Sequence, residues 1–472
     1  MQFPKRAEVR PSRLRASDGP SRAHVVRILK TVTAQLRHAL AAPPTHDAAS
    51  LLAEARGRTL LLVSVLTDED AATQHDPLMS PVVWDLGHIA RFEELWLTRN
   101  LEGHIAFGEM PGLFNPFEHP RRERGALDLP TLRTTFADLA QTRHRVLAQI
   151  DGMADDPSNP LLRGGYVFAM VAQHEYQHGE TILQTMQLKG GTPYAAPRAY
   201  PIHEPRFAIE PGSMVRFPGG TVTIGTDDTS AAYDNERPLH RVEIKPFQID
   251  RAPVTNGEYL AFMEDGGYMR RELWTPDGWN WLAESQVAAP KHWRREGSRW
   301  LVREMDREGN VDPRRPVVHV CWYESSAYAR WAGKRLPTET EWEAAASWDP
   351  ASVSARRFPW GEEAPTPAHA NVDQLSFGTV PVGAYAANVS PIGCYGMIGD
   401  VWEWTSSDFT GYPGFRAFPY AEYSEVFFGS EYKVLRGGSW ATRPGAIRNT
   451  FRNWDYPIRR QIFAGFRCAR DD

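Results

Sequence analysis

The 472-residue sequence has few of the features that mark secreted, membrane-spanning or nucleic-acid-binding proteins. It holds only three cysteines, widely separated and without a CxxC pair, so no disulfide framework is predicted and a reducing compartment is expected. No apolar run is long enough to cross a membrane, and the first residues have no apolar core of the kind a secretory signal needs. The formal charge of -5 gives no reason to expect nucleic acid as a partner. We therefore expect a globular cytoplasmic protein with neither a nucleic-acid nor a membrane partner.

Two domains are expected from the length and from a change of character along the chain. Residues 1–23 are basic and are predicted to form a disordered tail. Residues 24–190 contain four long segments with apolar residues three and four positions apart, which predicts a four-helix bundle ended by the glycines at 190–191. The proline-rich residues 191–212 are predicted to be a linker. Residues 213–472 mix short β-rich runs with brief helices and many Gly, Pro and Trp, which predicts an irregular α+β domain.

The pentapeptide HEYQH carries the strongest chemical signal. Residues four apart lie on one face of a helix, so His174 and His178 can take adjacent positions on one metal ion. A facing helix of a bundle can supply a third ligand, and WDLGHIARFEELWL places His88 on an inner stripe. Spacing alone leaves two alternatives open. One is a histidine pair without a metal, and the other is a metalloprotease, because HEYQH satisfies HExxH with Glu175 as the base.

Five segments, from both predicted domains, carry a family resemblance: WDLGHIARFEELWL, FAMVAQHEYQHGETILQTMQLK, GDVWEWTSSDF, VLRGGSWAT and FRNWDYPIRRQIFAGFR. They resemble, in the same order, the ergothioneine-type sulfoxide synthases and their selenoneine synthase relatives. The resemblance implies a DinB-like helical bundle joined to a formylglycine-generating-enzyme-like domain of the C-type-lectin-like class. It also implies a non-heme Fe(II) enzyme that uses O2 to form a C–S or C–Se bond at imidazole C2 of hercynine, the trimethylammonium betaine of histidine.

The same resemblance implies roles for single residues. Iron would be held by His88, His174 and His178, and hercynine would be contacted by Gln177, Asn453 and Trp454. The sulfur or selenium donor would be bound by Asp455, Arg121 and Arg124. The residue that gives a proton during the reaction would be Tyr420 or, second, Tyr423. Guanidinium groups suit carboxylates, and an aromatic wall with a carboxylate nearby suits a cation. The donor would be a thiol or selenol, either glutamyl-cysteine, cysteine or a selenosugar. The arginines favour a thiol with carboxylates, whereas the altered loop at 115–119 permits a sugar.

Three other functions are weighed against this one. A formylglycine-generating oxidase would need two cysteines after RGGS to bind copper, but the sequence continues RGGSWATRPGAIRNTFR. A DinB-like thiol transferase would use a similar three-histidine metal, and a non-catalytic binding module would tolerate loss of His88. Both leave the resemblance over two domains unexplained.

Overall fold

The computed structural model describes residues 48–102, 112–150, 156–191, 194, 204–205 and 208–472. The predicted tail at 1–23, the predicted helix over 25–40 and most of the predicted linker at 191–212 lie outside these residues.

The N-terminal half is helical. Its helices are α1 (Ala48–Val63), α2 (Asp68–Ala72), α3 (Val82–Glu94), α4 (Leu132–Ile150) and α5 (Tyr166–Lys189). Helix α3 runs directly into a π-helical turn, Leu95–Arg99. Helices α1, α3 and α5 coincide with three of the predicted segments.

Helix α4 was not among the predicted elements. Its buried apolar residues Leu132, Leu139 and Val146 recur every seven positions, which makes a narrow helical stripe. The many polar residues between them dilute this signal in the sequence. The stripe packs α4 against α3.

Helix α5 is bounded by glycines on both sides. Gly164 and Gly165 adopt φ values of 62° and 73° before its first residue, and Gly190, with φ 66°, ends it as predicted. These left-handed conformations carry no steric penalty for glycine. The glycines therefore fix the ends of the helix that carries the HEYQH sequence.

Buried charges join the four long helices in the bundle interior. Glu93 on α3 accepts hydrogen bonds of 2.6 Å from both Arg56 on α1 and Arg143 on α4. Glu175 on α5 accepts one of 2.8 Å from Arg56 and lies 3.6 Å from Arg143. Two carboxylates and two guanidinium groups thus balance one another where water is excluded.

The C-terminal half contains short strands, brief helices and long loops. Its helices are α6 (Asn256–Glu264), α7 (Pro276–Ser285), α8 (Trp322–Trp331) and α9 (Glu339–Ser347). Its strands are β1 (Met214–Phe217), β2 (Gly220–Ile224), β3 (His240–Ile244), β4 (Phe247–Asp250), β5 (Trp293–Glu296), β6 (Arg299–Glu304), β7 (Arg307–Asn310), β8 (Trp348–Asp349), β9 (Ser354–Ala355), β10 (Trp402–Phe409), β11 (Gly429–Arg436), β12 (Arg452–Asp455), β13 (Ala464–Gly465) and β14 (Ala469–Asp471).

Two sheets frame this half, with strand orders β1-β4-β14 and β12-β11-β10-β13. Neighbouring strands are antiparallel except β10 and β13. The predicted runs MVRFPGGTVTIG and HRVEIKPFQID form β1 to β4. The predicted helices NGEYLAFM and TETEWEAAAS form α6 and α9, each begun by a capping box, Thr255 with Glu258 and Thr338 with Glu341.

The two halves share one apolar cluster, which includes Trp96 and Tyr166 from the bundle and Tyr233 and Trp402 from the C-terminal half. Ion pairs from Arg443 to Glu54 and from Asp373 to Arg58 reinforce the same boundary. Among the described residues, no helix combines the length and apolar character that crossing a bilayer requires.

Candidate metal centre and substrate cleft

Three histidines from two bundle helices converge on one point. One ring nitrogen from each of His88, His174 and His178 lies within 4.8 Å of the other two. The Nε2 atoms of His88 and His174 are 3.2 Å apart. His88 comes from α3, and the other two lie one turn apart on α5, so the structure brings together the three residues that the sequence singled out.

The surroundings keep the imidazoles of His88 and His174 neutral. Burial, and then the neighbouring imidazoles, hold the pKa of His88 and of His174 well below the ordinary value. A neutral imidazole is the form that coordinates a metal ion. The three imidazole nitrogens therefore suit a divalent metal ion and leave other coordination positions open for further ligands.

Neighbouring groups also fix the orientation of the rings. Nδ1 of His88 donates to the carbonyl oxygen of Phe114 at 3.0 Å, which leaves Nε2 free as a ligand atom. Nδ1 of His178 lies 3.4 Å from a carboxylate oxygen of Asp85. The ring of Phe92 stacks on His174 with centroids 3.7 Å apart. Contacts of this kind orient the side chains that bind a metal ion without touching the ion themselves.

Glu175 lies in the bundle interior rather than in the metal site. It is 1% exposed, and its carboxylate is held by Arg56. A metalloprotease needs this glutamate beside the metal, where it activates a water molecule. The HExxH interpretation of this segment is therefore wrong.

A cavity of about 600 Å³ lies between the bundle and the C-terminal half, and the three histidines form part of its wall. All the residues to which the family resemblance gives a role line this cavity: His88, His174, His178, Gln177, Asn453, Trp454, Asp455, Arg121, Arg124, Tyr420 and Tyr423. Its volume is within the usual range for small-molecule sites.

Strand β12 brings the sequence Asn453-Trp454-Asp455 to the cavity. The indole of Trp454 stacks on Phe409, with centroids 4.0 Å apart and planes 8° from parallel. The carboxylate of Asp455 lies 3.3 Å from Nε of Arg459. Asp455 therefore has a cationic partner within the protein.

Arg124 is buried and partly committed to structural contacts. Its guanidinium donates to Ser80 Oγ at 2.7 Å and to the carbonyl of His119 at 2.9 Å, and it lies 3.4 Å from the ring centroid of Trp84. Trp84 in turn stacks on His88. No carboxylate in the described ranges forms an ion pair with Arg124. Burial and the nearby charge of Arg121 lower the pKa of Arg124, and the more distant charge of Asp85 opposes this shift only in part.

Tyr420 and Tyr423 follow each other along the cavity wall, with ring centroids 6.0 Å apart. Tyr420 stacks on Trp96 of the π-helical turn, and burial raises its pKa well above the ordinary value. Tyr423 stacks on Tyr233, with ring centroids 4.6 Å apart, and burial raises its pKa well above the ordinary value as well. Both phenols therefore keep their protons at neutral pH.

Glu180 is one of several charged residues of the cavity wall that sequence reasoning missed. On α5 it falls seven positions from both Gln173 and Gln187, and all three side chains are buried. All three also form hydrogen bonds with the C-terminal half. A polar residue at every seventh position of a mostly buried helix is the signal that could have identified it.

Comparison with known proteins gives the same two domains. Residues 51–182 match the DinB superfamily, and residues 201–472 match the sulfatase-modifying factor enzyme 1-like domain. The formylglycine-generating enzyme of Thermomonospora curvata is 35% identical over 295 residues, which cover 55% of this chain and 93% of that enzyme.

Two relatives match over nearly the whole chain. The hercynine oxygenase of Mycolicibacterium thermoresistibile is 44% identical over 447 residues, which cover 92% of this chain and 96% of the relative. The hercynine oxygenase of Mycobacterium tuberculosis is 45% identical over 430 residues, which cover 89% and 97%. Identity at this level along almost the full length of both partners means that this protein belongs to the hercynine oxygenase family.

Proposed function

We propose that this protein is a mononuclear Fe(II) oxygenase that uses O2 to join sulfur or selenium to C2 of the imidazole of hercynine. The observation that carries the proposal is the convergence of three imidazoles in the wall of a cavity large enough for two ligands. The names of the similar relatives point to the same substrate. Bound by His88, His174 and His178, Fe(II) supplies redox chemistry and open coordination positions.

In this proposal Gln177, Asn453 and Trp454 hold hercynine. Gln177 lies on α5 between the two histidines of that helix, so its amide is one residue from a metal ligand. Asn453 and Trp454 approach from the C-terminal half on β12. Contacts from both halves orient the imidazole and keep water away from its C2 atom.

The donor binds at the arginine end of the cavity. A buried guanidinium without an ion-pair partner is costly, and a carboxylate of the donor would give Arg124 that partner. Arg121, exposed at the rim, can meet a second carboxylate, and Asp455 an amino group. This arrangement favours a thiol that carries carboxylates, such as glutamyl-cysteine, over cysteine or a selenosugar.

Tyr420 is the proposed proton donor, with Tyr423 as the second candidate. Tyr420 lines the cavity, and its hydroxyl stays protonated at neutral pH because burial raises its pKa. Joining hercynine and a thiol with one O2 gives a sulfoxide and one water, so protons must be supplied during the reaction.

We assign this reaction to the cytoplasm. The three cysteines Cys321, Cys394 and Cys468 are free and buried, as expected for a protein that folds in a reducing compartment.

Anaerobic reconstitution with Fe(II) and hercynine, followed by O2 and each donor in turn, tests the proposal. The expected product, read by mass, contains hercynine and the donor joined at C2. Protein loaded with redox-inactive Zn(II) is the matched control and should give none. Product formed without O2 would instead indicate a thiol transferase, and the absence of product with every donor would refute the proposal.

A further inference from the structure

Asp234 is a buried residue of the C-terminal half whose carboxylate binds both ends of residues 418–424, the tyrosine segment. Its Oδ2 accepts a hydrogen bond of 3.1 Å from the backbone N–H of Phe418. Its Oδ1 accepts one of 2.5 Å from the hydroxyl of Ser424. The residues between these two contacts include both tyrosines that are proposed as proton donors. A single side chain thus holds the segment that carries them.

The chain neighbours of Asp234 contact the tyrosine segment as well. Nδ2 of Asn235 donates to the hydroxyl oxygen of Ser424 at 3.0 Å, which leaves the hydrogen of that hydroxyl for Asp234. The ring of Tyr233 stacks on Tyr423, with planes 22° from parallel. Three consecutive residues of the chain therefore support this segment, two through hydrogen bonds and one through ring packing.

Two buried arginines fix the turn that carries Asp234. Nε of Arg448 donates to a carboxylate oxygen of Glu236 at 2.7 Å. Nη1 of Arg452 donates to the backbone carbonyl oxygen of Asn235 at 2.6 Å. Arg452 is the first residue of β12, and the next three residues of that strand line the cavity. The support beneath the tyrosines is therefore joined to the cavity wall.

Asp234 is an unfavourable residue to bury. In the part of the chain that the structure describes, no Lys, Arg or His forms an ion pair with it. Burial accordingly raises the pKa of Asp234 to about 6. A buried carboxyl group without a cationic partner lowers stability relative to a neutral side chain of the same shape. A residue that violates this rule at a support of the cavity is expected to serve the reaction rather than the stability of the fold.

We propose that Asp234 is a positioning residue that places Tyr420 at the cavity by holding both ends of the tyrosine segment. The inference rests on the proposed function, since it acts through the proton that Tyr420 gives. Regular structure within the segment is confined to the 3-10 turn Ala421–Tyr423, so the two contacts of Asp234 are needed to fix its path. Proton transfer requires the phenol within hydrogen-bond reach of the accepting oxygen. A displacement of about 1 Å slows such a step by up to about 100-fold.

Asp234→Asn tests the inference, because asparagine keeps the size of the side chain but has one acceptor oxygen where aspartate has two. Iron content and calorimetric hercynine affinity should match those of the parent, since the tyrosine segment supplies neither the histidines nor the proposed hercynine contacts. Product formation should slow by about tenfold, and more O2 should be diverted to oxidation of the donor. Asp400→Asn is the matched control, since burial raises the pKa of that carboxyl as well, and it should keep the parent rate.

Combination with Tyr420→Phe separates positioning from a general structural role. If Asp234 acts through the phenol of Tyr420, Asp234→Asn should slow the Tyr420→Phe protein by less than about twofold. Equal slowing in both backgrounds would overturn the inference, and so would a parent-like rate of Asp234→Asn alone. Ser424→Ala removes one of the two contacts and carries the same test if Asp234→Asn does not fold. Absence of product from the parent with every donor would instead refute the proposed function, so the two failures are distinguishable.

Discussion

Arg56 on α1 donates a hydrogen bond of 2.8 Å to the carboxylate of Glu175, the residue that follows His174 on α5. The contact lies in the bundle interior, where Glu93 and Arg143 complete a group of four charges. Glu175, which follows the proposed metal ligand His174 in the chain, thus fixes the rotation of α5 within the bundle. The glutamate of HEYQH has a structural role.

Glu175→Gln should therefore destabilise the fold without removing the metal site. Neutralising one member of the buried group leaves excess positive charge, at a cost of about 3 kcal/mol. Urea unfolding measures the loss, with Glu69→Gln, an exposed change on α2, as the control. A variant as stable as the parent but inactive would show that Glu175 acts in the chemistry.

His174→Ala should abolish both metal binding and turnover, because two imidazoles hold a divalent ion far more weakly than three. Metal content after anaerobic loading and desalting is the measurement. His144→Ala, an exposed histidine on α4, should keep full metal content. Stoichiometric iron in His174→Ala would place the metal elsewhere.

Tyr420→Phe should slow product formation by about 100-fold, the size expected for a lost general acid, or divert O2 to oxidation of the donor. Tyr423→Phe should have a smaller effect, since phenylalanine keeps the packing of this ring on Tyr233. Product ratios by mass separate the two outcomes. Parent-like behaviour of Tyr420→Phe, with loss in Tyr423→Phe, would reverse the assignment.

Arg121→Ala should raise the KM for a carboxylate-bearing donor by about tenfold and leave hercynine affinity unchanged, because one charged hydrogen bond is lost. Arg122→Ala is the matched control, since Arg122 is a neighbouring exposed arginine that pairs with Glu123. Steady-state kinetics with glutamyl-cysteine and a selenosugar give the comparison. An equal effect of both substitutions would indicate only a diffuse field of positive charge.

Asp400→Asn should stabilise the protein more as the pH rises. Burial raises the pKa of Asp400 to about 7, so the folded state binds its proton more tightly than the unfolded state does. The carboxyl therefore costs stability progressively as pH rises from about 4 to 7, and that cost persists above pH 7. Asparagine lacks the charge, so its advantage in Tm should be larger at pH 8 than at pH 5.

The geometry of Asp400 makes asparagine an apt replacement. Its Oδ1 alone accepts hydrogen bonds from Asn371 at 2.7 Å and from the backbone of Val380 at 3.0 Å, and an amide oxygen can accept both. Its φ of 68° is tolerated by asparagine better than by most residues. A Tm difference that does not change with pH would contradict the raised pKa.

The sequence predicted the convergence of the three histidines because their spacing encodes their geometry. His174 and His178 are one helical turn apart, and His88 lies within a long amphipathic segment. The family resemblance added residues from distant parts of the chain, and all of them line one cavity.

Other features depend on contacts between distant segments, which spacing does not encode. The partners of Glu180 are more than 200 positions away along the chain, and those of Glu175 lie on other helices. Arg124 was predicted as a ligand-binding residue, yet much of its guanidinium supports Ser80 and His119. Helix α4 was missed because its apolar stripe is narrow.

The ring of Trp84 is shared by two functional groups, the guanidinium of Arg124 and the imidazole of His88. One face of the cavity wall therefore depends on the position of this indole, because both groups pack on it. A smaller side chain at position 84 would leave the guanidinium and the imidazole without their common support, although neither residue would itself have been changed.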